Sequence, residues 1–438
     1  MRKSWLIAGV GLYLLFLLVI LPFVIGIPWS LVFQGDAASY SRAAINILQH
    51  GFYSLDGIHP YLVREPGMSM FLAVIYFFSG VEQPLPFVIV QALILLLASW
   101  FFCSQIASTY GQRIAGITFI LLLTSGSVFH TVFVAYRECL TLCLWLVFGG
   151  VFLWQQRTPT WWKPAVLGLI LAGIILTYYS FIFFPPVLLL LSLIQRRPLR
   201  DSLIIIVTCY ALVGLWGLRN ASYDGKFRII DVHRTTVMWY VRGEQAERVQ
   251  GFEPFRCLWS EYISRDWTGR SDACSFNGLM HRRWPNDTDQ PDDYAAVAKA
   301  GQAKIISHLP SYLNFSLYEI LELHLPFVGG GFSRAFNVFA ALSTLVMYVG
   351  CFAGISSVFR KEHLLWVAIP CYNILVFILT DATPRYLLPV IFCYALLAAA
   401  GYSRLFHLLR PQLRRCGTPL GSRGFRERCG RNAATNEP

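Results

Sequence analysis

Apolar runs dominate this sequence, and most are long enough or nearly long enough to cross a lipid bilayer. A helix that crosses the hydrocarbon core needs roughly 20 consecutive apolar residues. Hydrophobic residues make up 56% of the 438 residues and charged residues 14%, whereas a soluble domain carries about 25% charged residues. A transmembrane β-barrel would have short segments of alternating polarity, which this sequence lacks. We therefore expect an all-α polytopic membrane protein.

Counting these runs predicts about ten transmembrane helices. The first, at residues 5–27, follows Arg2 and Lys3 and is too long for the core of a signal peptide, which indicates an uncleaved helix. The other predicted spans are residues 85–107, 114–130, 138–154, 165–179, 181–194, 203–218, 335–358, 364–379 and 386–405.

The charged connections assign the two sides of the membrane. With the N terminus in the cytoplasm, the cytoplasmic connections are residues 110–113, 155–163, 195–201 and 360–363, together with the C-terminal tail. Each of them carries Lys or Arg, and an excess of these residues marks the cytoplasmic side. The same rule explains the net charge of +12 better than nucleic-acid binding does. Both termini are therefore predicted to be cytoplasmic.

The N-terminal module, residues 1–218, contains a first outer loop at 28–84. Within this loop, residues 39–50 have apolar side chains at helical spacing, which predicts an amphipathic helix at the membrane surface. Residues 67–80 are apolar but too short to span comfortably, which predicts a second surface helix or a re-entrant helix. A second, larger outer loop at 219–334 joins the seventh and eighth spans.

The large outer loop mixes acidic and basic residues and contains a helical pattern at 293–309. Its Cys257 and Cys274 would pair only in an oxidising compartment, so a disulfide stays open. Residues 335–405 hold the last three spans, and the basic tail at 406–438 is predicted to be cytoplasmic and disordered.

Ionisable residues are rare inside the predicted spans but gather at their outer ends, where they are functional candidates. The acids at these ends are Asp36, Asp56, Glu65, Glu138 and Asp381, and the bases are Arg64, Arg137, Arg219 and Arg385. Carboxylates can accept a proton, and arginines suit phosphate or carboxylate groups. The mixture predicts a site for an anionic, lipid-anchored substrate on the outer side.

Each of these candidates also has a structural interpretation. Asp36 is placed to be the N-cap of a helix that begins near Ser39. Glu138 is placed to pair with Arg137 or to cap its own helix, and the outer arginines are placed to contact lipid headgroups. No cluster of Cys and His has the spacing of metal ligands, so no metal site is predicted.

Five short motifs, in the same order along the chain, resemble those of GT-C membrane glycosyltransferases. They are Gly-Asp-Ala-Ala-Ser-Tyr at 35–40, Arg-Glu-Pro-Gly at 64–67, Arg-Glu at 137–138, Trp-Gly-Leu-Arg-Asn at 216–220 and Pro-Arg-Tyr-Leu-Leu-Pro at 384–389. More narrowly, they resemble those of bacterial relatives of protein O-mannosyltransferases and of the transferases that add aminoarabinose or galacturonic acid to lipid A. The chain departs from the family in its single Asp36, where some members have an acidic pair, and in Glu65, where many have Pro.

The resemblance implies roles for the outer charged residues. Asp36 would be the general base that deprotonates the acceptor hydroxyl. The implied assignments are Asp36 and Glu138 as catalytic residues, Arg64, Arg219 and Arg385 as the contacts of the donor phosphate, and Tyr40, Arg137 and Glu65 as residues of the substrate pocket.

The resemblance also implies the substrates. The donor would be a polyprenyl-phosphate sugar, the acceptor a lipid, a glycan or a protein, and the transfer would invert the anomeric carbon. No cofactor is expected, and participation of a divalent cation stays open. The implied location is a bacterial inner membrane with the site on the periplasmic face.

Two other functions stay open at this point. A polymerase or ligase of lipid-linked glycans would also have many spans, a large outer loop and essential arginines, but the Gly-Asp pair directly after the first span favours a transferase. A transporter or flippase would need ionisable residues in the middle of spans and commonly has internal repeats. The sequence has neither feature, and its polar candidates lie on one side.

Overall fold

The structure is a computed structural model that describes residues 29–230, 243, 246–247, 294–324, 334–358, 364–380 and 384–416. These residues form fourteen α-helices and three 3-10 helices. Extended pairing within the described ranges is confined to a single antiparallel bridge between Ser54 and Pro60. The described part of the chain is therefore all-α, as the apolar pattern predicts.

The helices follow one another with short connections over most of the described chain. In chain order they are α1 (Asp36–His50), α2 (Gly67–Ser79), α3 (Pro84–Tyr110), α4 (Gln112–Leu123), α5 (Gly126–Phe133), α6 (Arg137–Arg157), α7 (Lys163–Thr177), α8 (Phe184–Ile194), α9 (Leu199–Asp224), α10 (Tyr294–Ser307), α11 (Leu309–Leu323), α12 (Arg334–Val358), α13 (Leu364–Thr380) and α14 (Ile391–Cys416). The 3-10 helices are Trp29–Phe33, Tyr179–Phe181 and Pro384–Val390.

Apolar helices identify the chain as an integral membrane protein. Four helical segments among the described residues are long and apolar enough to cross a bilayer, and a fifth arises if α4 and α5 count as one bent span. Shorter apolar helices, including α7, α8 and α13, occupy other predicted spans. Every predicted span from the second to the tenth coincides with one of these elements, while residues 5–27 and the tail beyond 416 lie outside the described residues. The total number of spans stays a prediction.

Several boundaries differ from those predicted. The span predicted at 114–130 is broken, because α4 and α5 are bent by 55° relative to each other. The seventh predicted span, α9, is longer at both ends than residues 203–218. The helix predicted at 293–309 is α10, and it is followed directly by a second helix, α11, that the sequence pattern did not indicate.

A buried glutamine supports the break that precedes α6. Gln91 of α3 donates from Nε2 to the carbonyl oxygens of Thr131, Val132 and Val134 at 2.8, 3.1 and 3.4 Å. Gln91 thereby supplies a partner to the carbonyls of Thr131 and Val132 where α5 ends, and buried backbone groups need such partners. The amide of Ala135 donates to the carbonyl of Val32 at 2.8 Å, which fixes the start of α6 against the first 3-10 helix.

The middle of the bundle is an aromatic core around Trp145 of α6. The ring centroids of Phe148, Phe181 and Phe184 lie 5.2, 5.1 and 5.1 Å from that of Trp145, all at edge-to-face angles. Aromatic pairs prefer this geometry because the positive edge of one ring meets the negative face of another. The core joins α6, α8 and the 3-10 helix between α7 and α8.

Glycines allow α12 and α14 to approach closely. Gly350 and Gly354 of α12 form a Gly-x-x-x-Gly pattern that crosses Gly401 of α14. A Cβ on Gly354 would lie 2.5 Å from the carbonyl oxygen of Leu397, and a Cβ on Gly401 would overlap the backbone of Gly350 and Gly354. Small residues at such crossings let membrane helices pack backbone against backbone.

The bundle has two ends that α6 and α9 connect. At one end Arg137 begins α6, and at the other Gln155 donates to Asp201 of α9 at 3.0 Å. Since α6 has 21 residues, these ends are about 30 Å apart. We refer to them as the Arg137 end and the Arg157 end.

Candidate functional site

The candidate site lies at the Arg137 end, where α1 begins. Gly35 precedes α1 with φ of +63°, a conformation that favours glycine, and a Cβ at this position would lie 3.2 Å from the hydroxyl oxygen of Tyr136. Asp36 is the first residue of α1, where a negative charge is favoured by the helix dipole. The conformation of Gly35 therefore fixes the backbone position from which the Asp36 side chain extends.

Asp36 binds two arginines at once. Arg64 donates from Nη2 to Oδ1 of Asp36 at 2.7 Å, and Nη2 of Arg385 lies 2.8 Å from Oδ2. Burial raises the pKa of Asp36, but the positive charges of Arg385 and Arg64 outweigh burial and hold that pKa well below its usual range. The carboxylate is therefore firmly ionised, with both oxygens engaged.

The capping interpretation of Asp36 is wrong. The N-cap of α1 is Gly35, no side chain caps the helix, and the helix begins three residues before Ser39. The Asp36 side chain points instead to Arg64 and Arg385, which are distant in sequence.

Glu138 also lies close to the Arg385 guanidinium. Its side chain is only 2% exposed, and its Oε1 is 3.9 Å from Nε of Arg385, beyond hydrogen-bond distance. Arg385 itself is in the 3-10 helix that precedes α14, and its guanidinium carbon lies 5.4 and 5.1 Å from the ring centres of Tyr136 and Tyr386. Asp36 and Glu138 thus both lie close to one guanidinium.

The 3-10 helix that carries Arg385 is held by neighbouring side chains. Asn373 of α13 donates to the carbonyl of Tyr386 at 2.9 Å, and the rings of Tyr386 and Phe377 stack with centroids 4.5 Å apart. These contacts fix the backbone next to Arg385 and so position its side chain toward Asp36.

Glu65 and Arg137 form a second, separate ion pair. Nη1 of Arg137 lies 2.7 Å from Oε2 of Glu65, and the backbone amide of Tyr179 donates to Oε1 at 2.9 Å. The Arg137 guanidinium also lies 4.1 Å from the ring centre of Tyr178. Arg137 therefore pairs with Glu65 and not with Glu138, which corrects the structural interpretation given to Glu138.

Arg219 lies apart from both pairs. Its guanidinium donates to Oδ1 of Asn220 at 2.8 Å and to the carbonyl oxygen of Tyr53 at 3.3 Å. It lies 4.6 Å from the ring centres of both Trp216 and Tyr223. Within the described part of the chain it has no carboxylate partner. Tyr53 connects Arg219 to the two ion pairs, because the Tyr53 hydroxyl donates to the backbone carbonyls of Arg64 and Glu65.

Of the predicted pocket residues, Tyr40 is buried beneath Arg64, whose guanidinium lies 5.0 Å from the ring centre. Tyr53 and Tyr136 also belong to the site, although neither was among the predicted site residues. Tyr53 donates to the carbonyls of Arg64 and Glu65 at 3.3 and 3.1 Å. The position of Tyr136, directly before the Arg-Glu pair, was the only available signal for its role.

Asp56, another outer acid, does not join the cluster. Asp56 pairs with the exposed His59 at 2.7 Å within the first loop, and Asp381 lies outside the described residues, as do Cys257 and Cys274. Among the residues that the structure describes, no group of three or more His, Cys, Asp or Glu side chains is placed to hold a metal ion.

Neither a protein-family model nor a curated protein sequence matches this chain. Solved structures do match it. The archaeal oligosaccharyltransferase AglB from Archaeoglobus fulgidus, in complex with an inhibitory peptide and a dolichol-phosphate, is similar with a TM-score of 0.52 and 14% identity over 96% of this chain and 53% of that chain. The Archaeoglobus fulgidus oligosaccharyltransferase in the apo form is similar with a TM-score of 0.53 and 15% identity, with the same coverage of 96% and 53%.

ArnT from Cupriavidus metallidurans bound to undecaprenyl phosphate is also similar, with a TM-score of 0.42 and 14% identity over 96% of this chain and 82% of that chain. The chain spans about half the length of the oligosaccharyltransferase chains that it matches.

At these identities the likeness to the oligosaccharyltransferase establishes the fold. The chain shares its fold, that of a polytopic, all-α membrane protein, with this oligosaccharyltransferase. The fold that the five sequence motifs implied is therefore confirmed.

Proposed function

We propose that this protein is a membrane glycosyltransferase that moves a sugar from a polyprenyl-phosphate donor to an acceptor hydroxyl. One observation carries the proposal: the carboxylates of Asp36 and Glu138 and the guanidiniums of Arg64 and Arg385 converge at one end of a GT-C bundle. A lipid-anchored donor presents its phosphate at the membrane surface, where charged groups of this kind are available to it.

The chemistry that these groups support is a direct displacement. Asp36 takes the proton of the acceptor hydroxyl while the hydroxyl oxygen forms a bond to the anomeric carbon. The bond between that carbon and the phosphate oxygen breaks, and its electron pair leaves with the lipid phosphate. Arginines stabilise the charge that grows on the phosphate. Since attack and departure occur on opposite faces of the carbon, the sugar is inverted.

Charge accounting favours Arg219 as one contact of the donor phosphate. Arg64 and Arg385 already face the carboxylate of Asp36, and Arg137 faces Glu65. Arg219 is held by an amide, a carbonyl and aromatic rings, so none of its described partners cancels its charge. A phosphate that approached it would gain a charge-assisted hydrogen bond without displacing a carboxylate.

The buried pair of Arg137 and Glu65 is better suited to shape the pocket than to react. Both groups are largely buried and engaged with each other, with 18% and 8% side-chain exposure. Their contacts hold the first loop against α6 and the Tyr179 segment. Removing either partner would leave the other as an uncompensated buried charge. Tyr40 forms the wall beneath Arg64.

The remaining features of the proposal follow the sequence motifs. The acceptor is a lipid, a glycan or a protein, and the protein lies in a bacterial inner membrane with Asp36 on the periplasmic face. Basic residues at the Arg157 end support this orientation, because they mark the cytoplasmic side.

The proposal is tested with membranes that contain the protein and with radiolabelled polyprenyl-phosphate sugars. We expect one label to move from the donor to an acceptor fraction, with release of unlabelled lipid phosphate. Membranes that contain the protein with both Asp36→Asn and Glu138→Gln are the matched control and should not transfer it. Labels that cross the membrane while staying on the lipid would support a flippase instead.

A further inference from the structure

Both oxygens of the Asp36 carboxylate are occupied by guanidinium groups. Arg64 and Arg385 lie 2.7 and 2.8 Å from Oδ1 and Oδ2. Arginine does not lose its proton in proteins, so these cations persist at any working pH. A carboxylate held in this way is a weak proton acceptor, because its pKa is held well below the usual range.

The charges of this cluster also cancel. Counted at their formal charges, Asp36 and Glu138 balance Arg64 and Arg385. A phosphate that enters such a cluster gains little net attraction while each guanidinium keeps its carboxylate partner. Donor binding at these arginines and proton removal by Asp36 therefore face the same obstacle, which is the contact between Asp36 and the arginines.

The arginines are held more firmly than the carboxylate. The Arg64 side chain is 7% exposed and lies over Tyr40, and Arg385 lies between Tyr136 and Tyr386. The Asp36 side chain is 32% exposed and occupies the first position of α1. A rotation of the Asp36 side chain would separate its carboxylate from both guanidiniums without moving either arginine.

We propose that the donor phosphate and the Asp36 carboxylate exchange places on Arg64 and Arg385. In this exchange the phosphate takes the hydrogen bonds that Asp36 gives up, and the released carboxylate becomes a stronger base beside the acceptor. No covalent bond changes in this step. The exchange rests on the proposed function, and it makes Asp36 active only when a donor is in place, which imposes an order in which the donor binds before the acceptor is deprotonated.

The test measures binding of farnesyl phosphate, a prenyl phosphate without a sugar, to the full-length protein in detergent by calorimetry. If Asp36 competes with the phosphate, Asp36→Asn and Asp36→Ala should bind it about ten- to a hundredfold more tightly than the wild type, the scale of one charge-assisted contact. Asp36→Glu, which keeps the charge, should stay near the wild type. Asp56→Asn, in the exposed pair with His59, is the matched control and should not change the affinity.

Equal or weaker binding by folded Asp36→Asn and Asp36→Ala would overturn the exchange while leaving the proposed function standing. Absence of binding by the wild type and by every variant would overturn both the exchange and the prenyl-phosphate donor. If neither neutral variant elutes as a folded protein in size-exclusion chromatography, the Asp36 charge is structurally required and the exchange is also overturned.

Discussion

The partners of the Asp36 carboxylate are brought to it by the fold and not by closeness in sequence. It is separated in sequence from Arg385 by nearly the whole protein, yet the two side chains are 2.8 Å apart. The sequence places both residues next to predicted spans on the outer side, so their common side could be predicted. That Asp36 would take both arginines, and that Glu138 would be left 3.9 Å from Arg385, could not be predicted, because it depends on how the helices pack.

The first prediction concerns catalysis by Asp36. Asp36→Asn keeps the size of the side chain but removes the base, so transfer from a labelled donor should fall by about 100-fold or more. Asp36→Glu should retain partial activity, because its carboxylate is displaced by one methylene. Initial rates of label transfer in purified preparations measure both effects. Full turnover by the Asn variant would remove Asp36 from the mechanism and leave Glu138 as the base.

The second prediction concerns acid. The pKa of an unfolded Asp is about 3.9, and Arg385 and Arg64 hold the pKa of folded Asp36 below its usual range despite burial. A lowered pKa contributes stability that is complete above about pH 5 and is lost as the pH falls below about 4. We expect the difference in Tm between wild type and Asp36→Asn to shrink between pH 7 and pH 3. Tryptophan fluorescence in detergent measures it, and a difference that stays constant over this range would contradict the ion pairs.

The third prediction concerns Arg219. If its guanidinium contacts the donor phosphate, Arg219→Ala should lower the affinity for prenyl phosphate by about ten- to a hundredfold, and Arg219→Lys should lose less because it keeps the charge. The exposed Arg42 of α1 is a matched control, and Arg42→Ala should leave the affinity unchanged. Wild-type binding by Arg219→Ala would return this residue to a contact with lipid headgroups.

At the scale of helices, hydropathy predicts most of what the described structure contains. Long apolar runs become α3, α6, α9 and α14 because a bilayer leaves backbone groups no partners outside the helix. The break between α4 and α5 is different. At the start of α5, the amide of Gly126 donates to the hydroxyl oxygen of Ser343 of α12 at 3.0 Å, so the break has a partner in a distant helix that no local pattern indicates.

The fourth prediction concerns the crossing of α12 and α14. Gly401→Leu would place a side chain inside the backbone of Gly350 and Gly354, so the helices must separate. Overpacking of this kind costs typically about 1–3 kcal/mol or more. Gly214→Leu in α9, where a Cβ meets nothing within 4 Å, is the matched control and should be tolerated. Thermal unfolding in detergent measures both, and equal Tm values for the two variants would contradict the close crossing.

At the scale of the whole molecule, α6 and α9 connect the candidate site to a second end rich in basic residues. Arg137 and Arg157 are the first and last residues of α6, and Arg219 lies near the end of α9 that is opposite Asp201. The sequence predicts the same division, because basic connections fall on one side and mixed charges on the other. What the sequence could not supply is how deeply each group is buried within the bundle, which depends on where the helices break and bend.

The fifth prediction concerns orientation. Because the two ends of α6 are about 30 Å apart, a reporter inserted after Arg197 should read cytoplasmic and one inserted after Gly57 in the first loop should read external. The sequence further predicts an external reading near Gly251 and a cytoplasmic one at Arg360. Fusions to alkaline phosphatase and to a fluorescent protein report the two sides, and the same reading at Arg197 and Gly57 would contradict the topology.

Arg64 and Glu65 are neighbours in the chain, but their side chains belong to different ion pairs and have different roles. Glu65 is tied to Arg137 of α6 and to the backbone of Tyr179, so it fixes the first loop at two points. Arg64 faces Asp36 and, in the exchange described above, would change its partner each time a donor phosphate binds. A displacement of that guanidinium is therefore one peptide bond away from the contacts that join the first loop to α6 and to the Tyr179 segment.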